Sequence, residues 1–245
     1  MSKAAVGNTV DLLAIAAHRD DAELTCGGTL AKAARQGHRV GILDLTQGEA
    51  GTRGDAATRA AEAEQAARAL GVQLRLNAEL QDAHLANDER SRARLVELIR
   101  ETRPRVVILP YPVSRHPDHR IAAELARDAC YLAGLAKYGA SGAPHRPFKI
   151  LHALAYREDV VKPTFVVDIS DTFDAKLAAI RCYASQFAGA KAAGEIFPTG
   201  QDLYELIRAQ SAHYGSLIRR SYGEPFFTHE TVEVDDVLQL GVQSL

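Results

Sequence analysis

Short runs of apolar residues alternate with longer helical stretches along almost the whole chain, and this alternation constrains the fold more than any other feature. Apart from a weaker run at Gln73–Leu80, the apolar runs are mostly continuous rather than alternating, which is typical of strands that are covered on both faces of a parallel sheet. The pattern predicts strands over Val10–Ala17, Arg39–Thr46, Gln73–Leu80, Arg105–Pro110, Lys149–Tyr156 and Thr164–Ile169.

Helices are predicted between and after these strands from their start and stop signals. Carboxylates stand at several helix starts, Gly37 and Gly71 end two helices, and Pro117 occupies the first turn of another. The repeated strand–helix units predict an α/β fold: a Rossmann-like, doubly wound, mostly parallel sheet with helices on both faces, in a single domain over residues 1–245. The predicted helices are Asp20–Gln36, Asp55–Leu70, Asp88–Thr102, Pro117–Lys137, Asp171–Gln186 and Gln201–Arg219.

Composition and charge exclude several classes of partner. The formal net charge is −2, so no overall basic field attracts the chain to nucleic acid or to anionic lipid. No apolar run approaches the roughly 20 residues of a transmembrane helix, and the first residues lack the pattern of a signal peptide. The scattered cysteines Cys26, Cys130 and Cys182 form no CxxC pair, so we expect buried thiols in a cytoplasmic protein. The expected partner is a small molecule.

Two clusters of histidines and acids occupy equivalent places in this pattern, each just after a predicted strand. A doubly wound sheet can place its first and fourth strands side by side at the switch point, where ligands bind beyond the carboxyl ends. The two clusters would then face each other across one crevice, among the loops predicted at Gln47–Gly54, Gly139–Pro147 and Ala188–Gly200. The clusters contain His18, Asp20, Asp21 and Glu23 in AAHRDDAE, and His116, Asp118 and His119 in SRHPDHR.

These residue types suit a divalent metal with an open coordination position. Two imidazoles and one carboxylate leave room for water, as catalytic zinc sites require, although the same set also suits Fe(II). Zinc lowers the pKa of its bound water to about 7, which generates a nucleophile at neutral pH. The remaining carboxylate and imidazole can then supply a general base and a group that stabilises the oxyanion. An isolated Asp-Asp pair is usually only a helix cap, but two such clusters at strand ends favour the metal site.

The chain resembles the PIG-L/LmbE-like zinc N-deacetylases, whose hallmark is an A-H-P-D-D segment paired with a later H-P-D-H segment. The likeness runs through nearly the whole chain, and its last two segments are most similar to the branch that deacetylates N-acetylglucosaminyl malate in bacillithiol biosynthesis. The segments that carry it are AHRDDAE, CGGTLAK, GEAGTRG, RHPDH, VVDISDTFDAKLAAIRCYASQF and SYGEPFF.

This resemblance implies an LmbE-like fold and a hydrolase that removes the N-acetyl group from an N-acetylglucosaminyl conjugate. Its metal ligands would be His18, Asp21 and His119, holding one Zn2+ per chain, with Fe2+ or another divalent metal left open. Asp20 would be the general base that takes a proton from the metal-bound water. N-acetylglucosaminyl malate is the leading substrate, and chitobiose-like sugars, mycothiol-type precursors and antibiotic glycosides remain alternatives. The resemblance also implies self-association, so we expect a homo-oligomer and consider a hexamer.

The resemblance extends to residues around the expected metal. His116 would be the cationic partner of the tetrahedral intermediate, or the acid that protonates the departing amine. Asp118 would orient His116 and favour its charged form. Arg53 would contact the substrate, and with Arg115 it suggests a site for an anionic aglycone. Arg19 stands where the family usually has proline, which loosens the turn that aims the neighbouring carboxylates.

Other interpretations remain open at this stage. A nucleotide-binding dehydrogenase would explain the strand–helix alternation, and Asp44 lies near the expected position of a ribose-binding acid. However, the turn after the first strand lacks G-x-G-x-x-G, and the chain has no Walker A sequence. A non-catalytic scaffold is disfavoured by the complete set of ligands and acid–base residues. The late tyrosines are expected in the core or an interface, although one of them could extend into the site: Tyr204, Tyr214 and Tyr222.

Overall fold

A seven-stranded sheet runs through the computed structural model of the chain, which describes residues 7–154, 161–188 and 202–242. The spatial order is β3-β2-β1-β4-β5-β7-β6, and only β7 runs against its neighbours. The doubly wound, mostly parallel α/β fold is therefore confirmed. The strands are β1 (Leu12–Ala16), β2 (Val40–Thr46), β3 (Leu74–Leu80), β4 (Val106–Pro110), β5 (Lys149–Ala153), β6 (Phe165–Asp168) and β7 (Gly223–Phe227).

Helices cover both faces of this sheet. On one face α3 packs against α4, and the core between them and the strands is mainly leucine, valine and alanine. On the other face α1 and α2 pack against α5, and α7 lies against β7. The helices are α1 (Asp21–Arg35), α2 (Ala56–Leu70), α3 (Glu89–Thr102), α4 (Pro117–Ala133), α5 (Phe173–Arg181), α6 (Ala184–Phe187) and α7 (Leu203–Leu217), followed by a short 3-10 turn at Val237–Gln239. No helix of the described part is long and apolar enough to span a membrane.

The helix ends follow local sequence signals. The Asp55 carboxylate accepts the Thr58 amide at the start of α2, and the Asp88 carboxylate does the same for Ser91 at the start of α3. Gly71 ends α2 in the left-handed region, with a φ of 73°. At the start of α1 the Asp20 carboxylate makes no capping bond. That carboxylate can therefore interact with groups outside α1.

Several predicted boundaries differ from the structure. The prediction of one continuous helix over Asp171–Gln186 is wrong, because the helix is interrupted between α5 and α6. Tyr183 has non-helical dihedral angles there, and its side chain turns into the core. Helix α4 ends at Ala133, before the predicted Lys137. The sequence also misses β7, whose Pro225 counts against a strand. The end of the strand predicted to Tyr156, residues 189–200 of the last predicted loop, and residue 201 lie outside the described residues.

The cysteines divide into two kinds. Cys26 and Cys130 are buried, as expected. Cys182 lies in the break after α5 and is partly exposed, so the expectation that every cysteine is buried is wrong. The break that exposes Cys182 is the same one that turns Tyr183 into the core.

Candidate metal-binding active site

The two clusters predicted from the sequence meet at the switch point of the sheet. Strands β1 and β4 are parallel neighbours, with Leu12 paired to Val106. The chain leaves the carboxyl end of β1 into α1, and that of β4 into α4. The described structure therefore brings His18, Asp20 and Asp21 against His116, Asp118 and His119, at the position where open α/β sheets bind ligands.

Three side-chain atoms form a nearly equilateral triangle. His18 Nδ1 lies 3.2 Å from Asp21 Oδ2, His119 Nε2 lies 3.2 Å from the same oxygen, and the two ring nitrogens are 3.3 Å apart. A zinc ion bound tetrahedrally to three nitrogen or oxygen ligands needs them roughly 3.3 Å apart, given bonds of about 2.0–2.1 Å. The triangle therefore fits a divalent cation without rearrangement of its members.

Two further carboxylates fix the ring of His18. Its Nε2 lies 3.1 Å from Asp82 Oδ1 and 3.4 Å from Asp118 Oδ2. Because both neighbours are acceptors, Nε2 carries the proton, which leaves the lone pair of Nδ1 for a metal. Sequence reasoning missed Asp82, which follows β3 in a segment without a recognisable motif. The available signal was its place just after a strand, on the edge that carries both clusters.

The charges of the site favour a cation at its centre. Burial opposes the charged form of His18, but bonds to Asp118, Asp21 and Asp82 raise its pKa well above the usual value. Despite burial, the charge of Asp21 likewise raises the pKa of His119. Burial also opposes ionisation of Asp21, yet the His119 and His18 rings hold its pKa well below its ordinary range. A site that stabilises positive charge in this way can exchange protons for a metal ion.

Asp20 lies beside the triangle rather than in it. Its Oδ2 lies 3.6 Å from the guanidinium of Arg59, a buried side chain on α2 that also donates to the Gly48 carbonyl. Burial, and then the charge of the neighbouring Asp21, raise the pKa of Asp20, while Arg59 opposes that rise. A carboxylate with a raised pKa that is not itself a ligand is suited to accept a proton. Sequence reasoning missed Arg59, because it stands in an Ala-rich helix that looks solvated.

His116 stands at the start of α4 and packs on the metal-site rings. It stacks on His119 with ring centroids 4.7 Å apart, and its edge meets His18 at 4.9 Å. The Asp118 amide donates to His116 Nδ1 over 3.2 Å, which makes Nδ1 an acceptor and Nε2 the proton-bearing atom of a neutral ring. Partial burial and the charges of His119 and His18 lower the pKa of His116.

The charge of the Asp118 carboxylate opposes the lowering of the His116 pKa, but burial and the charges of His119 and His18 outweigh it. This carboxylate is turned towards His18, and it also accepts the Ala83 amide at 2.9 Å. The hydrogen bond of Asp118 to the His116 ring comes from its backbone N–H. The carboxylate thus contributes to orienting a metal ligand, while the neutral His116 presents an N–H as a hydrogen-bond donor.

The arginines expected around the substrate occupy different settings. Arg53 lies in the loop before α2, where its guanidinium donates to the Gln186 carbonyl at 3.4 Å and its own carbonyl accepts from Gln186 Nε2. Arg115 is exposed. Arg19 is partly buried, and burial lowers the pKa of its guanidinium.

The late tyrosines belong to the packing around α5 and α7. Tyr222 stacks on Phe173 at 3.8 Å and accepts a hydrogen bond from Arg208. Tyr204 faces the Arg181 guanidinium, and Tyr214 is buried on α7. Among the residues that the structure describes, the tyrosine whose hydroxyl contacts the metal-binding turn is Tyr183, which donates to the Arg19 carbonyl.

Comparison with known proteins agrees with this geometry. Residues 13–130 match the family model described as PIG-L: GlcNAc-PI de-N-acetylase. Diacetylchitobiose deacetylase of Thermococcus kodakarensis is 32% identical over 229 residues, which cover 87% of this chain and 80% of that protein. The chain belongs to the PIG-L family. The sequence resemblance is therefore confirmed at the family level, while its bacillithiol branch is not singled out by these relatives.

Two solved structures share the fold of this PIG-L family member. The conserved protein TT1542 from Thermus thermophilus is 37% identical, with a TM-score of 0.83, and the match covers 93% of this chain and 98% of TT1542. N,N'-diacetylchitobiose deacetylase from Pyrococcus horikoshii, in complex with its inhibitor MPG, is 29% identical with a TM-score of 0.74. That match covers 88% of this chain and 82% of the deacetylase.

Proposed function

We propose that this chain is a metal-dependent N-deacetylase that hydrolyses the acetamide of an N-acetylated amino-sugar conjugate. The observation that carries the proposal is the triangle of His18 Nδ1, Asp21 Oδ2 and His119 Nε2, with edges of 3.2–3.3 Å, beside the non-ligand carboxylate of Asp20. The relatives named as diacetylchitobiose deacetylases support this reaction class. Zinc is the proposed metal, since two imidazoles and one carboxylate are a common catalytic zinc set.

The roles of the surrounding residues follow from their positions. A divalent cation bound at the triangle supplies Lewis-acid chemistry and makes water nucleophilic at neutral pH. Asp20 accepts the proton that the attacking water loses, and delivers it to the amide nitrogen as the C–N bond breaks. The N–H of His116 Nε2 donates to the oxygen that becomes negative when the carbonyl is attacked. The second proton of the water leaves with the acetyl group as acetic acid and passes to the amine at neutral pH. Acetate and the protonated amine are therefore the products, and Asp20 ends as a carboxylate again.

The finer proposal concerns the substrate. We propose N-acetylglucosaminyl malate for two reasons. The segment SYGEPFF and the one before it are similar to that branch, and the chain carries Arg53 in the loop between β2 and α2 and Arg115 next to His116. Arg53 and Arg115 can bind a carboxylate with two parallel hydrogen bonds, which an uncharged sugar does not offer. Diacetylchitobiose is the alternative, favoured by the relatives that carry its name.

One screen tests both levels of the proposal. The protein, prepared with zinc or with Fe2+, is incubated with N-acetylglucosaminyl malate, diacetylchitobiose or N-acetylglucosamine, and acetate and free amine are both measured. We expect equal amounts of the two products and the highest kcat/KM for the malate conjugate. A preference for diacetylchitobiose would replace the finer proposal and leave the deacetylase in place. Absence of both products from every N-acetyl sugar, with either metal bound, would refute the deacetylase.

We also propose a homo-oligomer. The C-terminal segment of residues 228–242 is mostly exposed, yet it carries six aliphatic side chains with exposed fractions between 40% and 87%. Contact with a second copy would remove this apolar surface from water. Light scattering at micromolar concentration checks the proposal, and a monomeric mass would contradict it. The six side chains are Val232, Val234, Val237, Leu238, Leu240 and Val242.

A further inference from the structure

The turn between β1 and α1 carries the residues most important to the site, and its backbone is held from outside. The Ala17 carbonyl accepts the amide and the hydroxyl of Thr46 at 3.1 and 3.0 Å. Two residues further on, the Arg19 carbonyl accepts hydrogen bonds from both Arg75 and Tyr183. The second attachment lies between the metal ligand His18 and the carboxylate pair that follows it.

Arg75 can hold this carbonyl because its own guanidinium is fixed. It extends from β3, and its side chain is 9% exposed. Two parallel bonds of 2.8 and 2.9 Å join it to Asp44, and a third of 2.6 Å joins it to Glu23. A fourth N–H donates to the Ala63 carbonyl at 3.0 Å. A planar guanidinium held in this way has little rotational freedom, so its fifth N–H points in one direction. That direction is the Arg19 carbonyl.

Tyr183 is the second donor to the same carbonyl. Its side chain is fully buried in the break between α5 and α6, and Glu23 Oε1 is a second acceptor 2.9 Å from its hydroxyl. Burial, and then the charge of Glu23, raise the pKa of Tyr183 well above its usual value. The phenol therefore keeps its proton and remains a donor throughout the working pH range.

The residue at position 19 explains why such an attachment matters here. A proline at this point of the turn would fix its own φ at about −65°. Arg19 has no such restraint, so the direction of the following carboxylates depends on what binds its carbonyl. The two donors lie on β3 and after α5, elements far from the turn in sequence.

We propose that Tyr183 and Arg75 are positioning residues for the metal-binding turn: by clamping the Arg19 carbonyl, they set the direction in which Asp20 and Asp21 project. The inference rests on the proposed function where it concerns turnover. Where it concerns metal affinity, it rests only on the triangle of ligand atoms. The competing explanation is that these side chains only stabilise the fold. They form one buried cluster of Arg75, Asp44, Glu23 and Tyr183.

Tyr183→Phe is the discriminating variant, because it removes one hydroxyl and leaves the ring in place. The matched control is Tyr214→Phe, which removes a tyrosine hydroxyl from α7. Zinc affinity is measured by competition with a chromophoric chelator. The values of kcat and KM are measured on the substrate that the screen finds best, and stability is measured by urea unfolding. We expect Tyr183→Phe to lose roughly 10–100-fold in zinc affinity or kcat, with KM changed less than about twofold. Tyr214→Phe should match the parent protein in all three.

Arg75→Lys provides a second test, since it keeps a positive charge near Asp44 and Glu23 but loses the planar fork. We expect weaker zinc binding than in the parent protein, in the same direction as for Tyr183→Phe. If Tyr183→Phe unfolds more easily but binds zinc and turns over like the parent protein, the cluster only stabilises the fold and the inference is wrong. A parent protein without deacetylase activity would refute the proposed function, whereas the zinc affinities would still decide the inference.

Discussion

The Glu224 carboxylate on β7 accepts the amide of Gly28 in the middle of α1, at 2.9 Å. It also accepts the amide and the hydroxyl of Thr29, three residues after the kink of α1 at Cys26. Lys176 on α5 donates to the same carboxylate at 2.5 Å, and both members of this pair are buried. One side chain thus caps the part of α1 that follows the kink and joins α1, α5 and β7.

Removal of Glu224 should therefore destabilise the whole fold. Glu224→Ala leaves the Lys176 ammonium buried without a counter-charge, which we expect to lower the free energy of unfolding by about 3–5 kcal/mol. Urea unfolding measures this loss. The exposed Glu230→Ala variant is the control and should stay within roughly 0.5 kcal/mol of the parent protein. Similar losses for the two variants would contradict the capping role of Glu224.

His152 should make stability depend on pH. It is buried on β5, where its Nδ1–H donates to the Pro110 carbonyl and its Nε2 has no hydrogen-bond partner. Burial lowers the pKa of His152, and the charges of His229 and Arg127 lower it further. Below about pH 6.5 the unfolded chain therefore binds the proton more readily than the folded chain, so this residue's contribution to stability is lost as pH falls.

The His152→Gln variant tests that sign. Metal-free protein is unfolded in urea at about pH 7.5 and 5.5, and the loss of unfolding free energy between the two is compared with that of the parent protein. We expect a smaller loss in the variant, since the glutamine does not titrate. The exposed His213→Gln variant should retain the loss seen in the parent protein. An equal loss in all three proteins would show that other groups account for the pH dependence.

The cysteines should differ in reactivity according to their burial. Burial raises the pKa of Cys130 to about 12 and raises that of Cys26 as well. Cys182 is partly exposed, and burial raises its pKa too, so we expect slow but measurable reaction. Ellman's reagent at about pH 8 should modify one thiol per native chain and all of them in denaturant. The native signal should disappear in Cys182→Ser, and its persistence would show that a buried thiol is accessible.

Local signals account for the part of the fold that the sequence predicts. The helix starts at Asp55 and Asp88 and the stop at Gly71 depend on neighbours within a few residues, so the sequence shows them directly. The break before α6 depends instead on a bond from Tyr183 to Glu23, 160 positions earlier in the chain. Strand β7 is likewise defined by pairing with β5 and β6, which no local pattern displays.

The same distinction applies to the site. The two His–Asp clusters were predictable because each combines several chemically unusual residues at a strand end. Asp82 and Arg59 act alone in ordinary segments, and their roles arise only when folding brings them to His18 and Asp20. The sequence also could not predict the direction of the Asp118 carboxylate. Its spacing from His116 is compatible with a contact to the ring of His116 or to that of His18.

Arg53 should influence which substrate is preferred. If its guanidinium binds an anionic aglycone, Arg53→Ala should narrow the preference for N-acetylglucosaminyl malate over N-acetylglucosamine, mainly by raising KM for the malate conjugate. Arg90→Ala, on the exposed surface of α3, is the charge-matched control and should leave the preference unchanged. Kinetics on both substrates provide the measurement. An unchanged preference in Arg53→Ala would remove Arg53 from the proposed substrate contacts.

Asp20 and Asp21 are neighbours in sequence, but their positions around the ligand triangle predict different roles. Asp21 Oδ2 is a corner of the ligand triangle, so Asp21→Ala should reduce both bound metal and activity. The Asp20 carboxylate lies outside the triangle and faces Arg59, so Asp20→Asn should retain most of the metal. Its turnover should nevertheless fall by roughly 10²–10⁴-fold, because an amide of similar size cannot accept the water's proton.

Zinc content and kcat measured on the same preparations separate these roles from simple helix capping. If both carboxylates only capped α1, each substitution would cost about 1 kcal/mol of stability and leave the rate nearly normal. The Asp20 side chain makes no capping bond to α1, which already favours a chemical role. Full activity in Asp20→Asn would eliminate Asp20 as the base. Loss of metal in Asp20→Asn together with its retention in Asp21→Ala would reverse the assignment, since the ligand would then be Asp20.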